Sequence, residues 1–212
     1  MTRNSSFILM SFALLDLGDD VMAAKGNHTI AVVKGKENYK TLQESFTDVF
    51  NEINRLNSEN KIEVNDRVIH LEFFLGRDYK FILLMMGLKG ATSHCACVWC
   101  KVPKDNRWDT SFPLHHYASS NLKRTIKEIS ELAKKKGKQN CCCEHTPLVT
   151  IELDHVILDE LHLLLRILDV LIENLIQDAL DWVQKEKINK RKGHQKIPTL
   201  QNYKQPFDHV VL

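Results

Sequence analysis

Residues 68–88, VIHLEFFLGRDYKFILLMMGL, carry the two patterns that decide the fold. The first eight alternate: Ile69, Leu71, Phe73 and Leu75 share one face and His70 and Glu72 the other, as in a half-buried strand. Gly76, Arg77 and Asp78 interrupt that alternation. Residues 79–88 then run apolar and unbroken, which predicts a short buried helix closed by Gly90.

Upstream, apolar residues recur at intervals of three and four from Tyr39 through Leu42, Phe46, Val49, Phe50 and Ile53 to Leu56, and predict an amphipathic helix over 38–57. Two short apolar runs precede it, 7–15 and 29–33, and the turn signal Gly26-Asn27 between them predicts a hairpin. The order through residue 90 is strand, strand, helix, strand, helix, an α/β reading. Beyond Ala91 the character changes to a cysteine-rich turn, a loop with Pro103 and Trp108, and a lysine-bearing helix over 122–132 that ends in the basic run from Lys134 to Lys138. A domain boundary is therefore expected near residue 91. Residues 158–180 give the strongest helix signal, a stripe of Leu161, Leu164, Leu165, Leu168 and their successors behind Asp159 and Glu160. The basic, then aperiodic, stretch 185–212 reads as disordered.

The 212 residues are 43% hydrophobic, enough for one ordinary core. With 29 basic against 27 acidic side chains the net charge is only +2, so nucleic-acid contact has to come from local clusters such as Lys134 to Lys138, which otherwise read as solvated surface. Six cysteines without a leader-like segment before them are expected in a reduced, intracellular chain. No run approaches the roughly 20 apolar residues that span a bilayer.

Three features carry chemistry. Cys97 and Cys100 have the spacing that lets two thiolates reach one tetrahedral zinc from a tight turn. The other two ligands are open among His94, Cys95, His115, His116 and the cluster from Cys141 to His145, and the plainer reading is six buried thiols. Asp78 ends a predicted strand, where a carboxylate in an α/β sheet can face a shared cleft; the plainer reading is a helix cap. Trp108 could stack on a base, although a tryptophan anchoring its loop is the commoner arrangement. The leucine stripe reads as a packing face, with His162 as a hydrogen-bonded core histidine.

Taken together, Gly76-Arg77-Asp78, the run from Gly87 to Ser93 and Cys97-Val98-Trp99-Cys100, with Cys97 19 positions after Asp78, resemble part of the recombination-activating, Transib-type DDE transposases, the family of the V(D)J recombinase catalytic subunit. Pro147-Leu148 and the run from Leu158 to His162 extend the resemblance, which covers most of residues 5–180 and is densest from Asp78 to Cys100. It implies an incomplete RNase H-like sheet over residues 1–90, a mainly helical zinc-binding insertion over 91–184 and a basic tail over 185–212. By the same resemblance Asp78 is a metal ligand of the catalytic core, with Mg²⁺ or Mn²⁺, and Cys97 and Cys100 bind a structural Zn²⁺. DNA is the implied partner, a homodimer the implied assembly and the nucleus the implied location. The family's first carboxylate would precede Met1, and its zinc histidines and catalytic glutamate would follow Leu212. An interior fragment or domesticated remnant, inactive alone, is therefore expected, and the alternative is a non-catalytic zinc module that binds DNA or protein. A rival alignment makes Asp16 the first carboxylate and requires 7–15 to pair in parallel with 68–75.

Overall fold

A computed structural model of the chain describes residues 6–22, 24–119 and 121–191. Strands β1 (Phe7–Ala13) and β2 (Asn27–Lys34) form the expected antiparallel hairpin, with Phe7 opposite Lys34 and a bulge at Met10/Ser11. Ile8 and, less deeply, Met10, Ala31 and Val33 point into the core, while Phe7, Leu9, Ile30 and Val32 lie on the exposed outer face. Helix α1 (Tyr39–Glu59) starts at Asn38, whose side chain accepts the Thr41 N–H at 3.0 Å, and stops at Asn60 in the left-handed region. It buries Leu42, Phe46 and Phe50.

The single strand expected over 68–75 is two. Asn65 and Asp66 both take positive φ, a turn that folds β4 (Arg67–His70) back on β3 (Lys61–Val64). The chain then leaves that hairpin, and β5 (Leu75–Arg77) pairs in parallel with β6 (Val156–Leu158). Helix α2 (Tyr79–Met85) follows at once and lies in the hydrophobic core: Phe81, Ile82, Leu83 and Met85 share one cluster with α1 residues, Val98, Ile129, Val149 and Val156. That cluster crosses residue 91, so no separate core begins there, and residues 1–160 form one compact unit.

Residues 91–159 are held mostly by irregular loops, with two short helices, α3 (Leu114–Tyr117) and α4 (Ile126–Leu132). Most of the helix expected over 91–184 lies from Glu160 onward; the stretch before it holds all six cysteines with Pro103, Pro113 and Pro147, which favour turns satisfied by side chains. The long helix α5 (Glu160–Arg191) belongs to a second unit, 161–212. It runs past residue 180 through Lys185, Lys187 and Lys190, since no glycine or proline interrupts it and basic residues suit a helix C-terminus. The part of the tail over 185–191 is therefore helical, and 192–212 lies outside the described residues. From residue 161 to 172 only His162, Arg166 and Asp169 are polar, so this half is apolar nearly all round. No helix among the described residues is long and apolar enough to cross a membrane.

The fold is thus mixed α/β with three two-stranded sheets among the described residues. The parallel pairing of 7–15 with 68–75 that Asp16 needed does not occur: β1 pairs with β2 and β4 with β3. Asp16 sits in a 3-10 segment beyond β1, and its assignment as a first carboxylate falls.

One backbone position tests this arrangement. Gly87 has φ +66°, and a Cβ there would stand 2.1 Å from the His145 carbonyl oxygen, whereas Gly90 has nothing within 4 Å. Gly87→Ala should cost about 3 kcal/mol or more through strain and lost loop contacts, against about 0.5 kcal/mol or less for Gly90→Ala, as read from urea unfolding midpoints.

Candidate metal centre

Asp78 is the residue at which β5 becomes α2. Its Oδ1 accepts the Phe81 N–H at 3.1 Å, capping the helix, and its Oδ2 lies 3.7 Å from the Arg77 Nε. Arg77 in turn covers the Phe81 ring at 5.4 Å. Strand-end and helix-cap readings of Asp78 therefore describe the same place, a half-buried carboxylate with one oxygen engaged by the backbone. Register adds a neighbour. Arg77 pairs with Leu158, so Asp78 and Asp159 follow directly from two adjacent parallel strands, and the Asp159 N–H donates to the Arg77 carbonyl at 3.1 Å. Sequence reasoning assigned Asp159 to a helix start; the signal that it ends a strand was the short run Val156-Ile157-Leu158.

Cys97 and Cys100 face each other. The Cys97 sulfur accepts the Cys100 S–H and the backbone N–H groups of Trp99 and Cys100, and the Cys100 sulfur accepts the Val102 N–H. Those donors hold Cys97 at a pKa of about 6, the neighbouring Cys100 S–H being the largest cause, while Cys100 is pushed well above the usual thiol range because it keeps the shared proton. Both sulfurs open on a cleft of about 370 Å³ lined also by Tyr79, Val102, Arg107 and Tyr117. Tyr79 donates its hydroxyl to the Ala96 carbonyl at 2.7 Å, and burial pushes its phenol up to about 12.

Of the other candidate zinc ligands, Cys142, Cys143, His116 and His145 have side-chain partners away from the Cys97–Cys100 turn. Arg124, with 0% exposure, donates from Nε to the carbonyls of Cys97 (3.0 Å) and Cys100 (3.2 Å). Its two terminal nitrogens reach the Cys143 sulfur (3.2 Å) and the carbonyls of Cys95 (3.0 Å) and Cys141 (2.8 Å). Cys142 Sγ accepts the Cys95 N–H at 3.3 Å, and burial pushes the thiols of Cys95 and Cys143 up. His145 stacks on Tyr39 at 4.1 Å and His116 on Phe112 at 4.3 Å. All six cysteines are unbridged. Among the described residues no three His, Cys, Asp or Glu side chains converge on a possible metal position.

No family model, curated protein or solved structure matches the chain. What the cysteine turn can do therefore rests on its own chemistry. Two neighbouring sulfurs at one turn, the Cys97 thiol held below the usual thiol range by its neighbour Cys100, fit half of a tetrahedral zinc site. Asp78 and Asp159 together could supply two of the carboxylates that a divalent cation needs. Arg124 gave no sign in the sequence, because an arginine between Lys123 and Thr125 has the pattern of an exposed loop.

Two measurements follow from this geometry. Alkylation of Cys97 depends on its thiolate, so its rate should rise through pH 6 and level off above it, and Cys100→Ala, which removes the S–H donor, should move that midpoint upward. Arg124→Lys supplies too few donors for the acceptors that now face the guanidinium, and should lower stability by about 3 kcal/mol in denaturant unfolding.

Proposed function

We propose that this chain carries the second catalytic aspartate, Asp78, and the first half of the structural zinc site, Cys97 and Cys100, of a Transib-type DDE transposase core. The observation that carries the reading is the pairing of these two features in one unit: a carboxylate at the C-terminal end of a parallel strand, followed 19 positions later by two sulfurs that face each other. In such a core, carboxylates from separate elements hold divalent cations that stabilise the attacking and leaving oxygens of a phosphodiester. The hairpin β1–β2 and the parallel pair β5–β6 each stop at two strands. That supports an RNase H-like arrangement in which a further strand joins them, since unpaired edges in a hydrophobic sheet call for a partner.

Within this reading Asp78 ligates a cation through the oxygen its helix does not use, and Cys97 and Cys100 supply two of the four ligands of a zinc ion. The substrate is DNA and the site of action the nucleus. A second reading, a zinc module that binds DNA or protein without cleaving, rests on Cys97 and Cys100 alone: it needs their half-site completed but requires no cluster of carboxylates.

The two readings part in one experiment. The reading frame flanking this chain should be expressed with it, and the product assayed for Mg²⁺- or Mn²⁺-dependent nicking of DNA and for bound zinc. The transposase reading expects nicking that Asp78→Ala reduces by about a hundredfold or more, several kcal/mol of transition-state stabilisation. It also expects zinc that is lost in Cys97→Ser with Cys100→Ser. Nicking unaffected by Asp78→Ala overturns the catalytic assignment, zinc without nicking selects the second reading, and zinc unaffected by the cysteine changes removes both.

A further inference from the structure

Trp108 is 79% exposed, so it does not anchor its loop. The loop is anchored by other residues. Arg107 donates to the carbonyls of Ala91, Ser93 and His94, the Lys104 N–H reaches the His94 carbonyl at 2.7 Å, and the Tyr117 hydroxyl donates to the Asp109 carbonyl at 2.9 Å. Asp109 is further tied to the backbone N–H and hydroxyl of Ser111. The chain is thus braced on both sides of the indole. A braced loop gains nothing for folding by holding a large apolar ring in water, but it presents the ring to a ligand with little ordering entropy left to lose.

The surroundings of the ring say which ligand. A tryptophan that anchors a protein partner sits inside an apolar rim that excludes water. Lys104, Asp105, Asn106, Thr110 and Ser111, the neighbours of Trp108 in sequence, are all exposed and polar, and Phe112, itself half exposed, has its ring stacked on His116. A lone aromatic face in a polar setting suits a nucleobase, which stacks through its own π-face whatever its identity. Bases in a duplex are already stacked, so the base must be unpaired. Arg107 and Tyr117 also line the cleft onto which Cys97 and Cys100 open, so the loop borders the site already described.

We infer that Trp108 is a stacking platform for an unpaired base of a DNA strand beside the cysteine cleft. This rests on the DNA reading above and adds a contact that reading does not supply. Lys104 and Arg107 are offset in charge by Asp105 and Asp109, so stacking rather than phosphate attraction supplies this contact, and its salt dependence is shallow.

The test titrates the tryptophan fluorescence of the full chain with an oligothymidylate of about 20 nucleotides, and separately with a duplex of equal length, at two salt concentrations. The expected result is quenching of the wild-type chain by the single strand and not by the duplex, and, followed by the anisotropy of a dye-labelled single strand, binding about tenfold weaker in Trp108→Ala and within about threefold of wild type in Trp108→Phe. Both variants should keep the wild-type circular dichroism spectrum, since the ring is exposed. Unchanged single-strand affinity in Trp108→Ala, with DNA still bound, overturns this inference and leaves the DNA reading standing. Failure of the wild-type chain to bind either DNA overturns both.

Discussion

A charged guanidinium with no access to water has to find hydrogen-bond acceptors for nearly all its donors, and at Arg124 these come from the cysteine-rich loops themselves. Carbonyls of Cys95, Cys97, Cys100 and Cys141 and the sulfur of Cys143 converge on one side chain. No carboxylate among the described residues bridges it, so the dipoles of the loops take the place of a counter-ion. Each loop is thereby fixed relative to the others without a disulfide or a regular ladder. The turn that aims Cys97 and Cys100 at one another is one of those loops, and its carbonyls are committed to Arg124 while its N–H groups are committed to sulfur. Geometry at the thiol pair is thus set by a side chain that cannot itself touch a ligand in the cleft.

How far the chain could be read from its residues depended on whether the deciding forces were local. The hairpin β1–β2, α1 with its Asn38 cap and the strand-to-helix passage at Asp78 were legible, because apolar period and capping chemistry are written into neighbouring positions. The division of residues 68–77 between β4 and β5 was not, since alternation looks the same whether a strand pairs with a hairpin neighbour or with a segment far along the chain. Asn65-Asp66 was the available clue, a dipeptide that tolerates positive φ. Arg124 and Asp159 were missed for the same reason: their surroundings are assembled from distant residues. Trp108 is the converse case, where its residue type suggested burial and its neighbours in space left it outside.

Asp78 shows how a structural and a chemical duty can share one carboxylate. Capping uses a single oxygen and fixes the rotamer, and a fixed rotamer is what a ligand for a cation requires. Asp159 is delivered by the neighbouring strand, where its N–H bond to the Arg77 carbonyl fixes its backbone beside that of Asp78. Strand register sets the two acids side by side.

That register also carries an entropic cost. β5 and β6 pair over only three residues although about 80 positions of chain separate them, which makes this one of the costliest loop closures in the molecule for one of its smallest ladders. So brief a ladder adds little of its own, and the intervening loops condensed around Arg124 are what shorten the effective path between its strands. The approach of Asp78 to Asp159 therefore depends on the packing of those loops more than on the ladder itself.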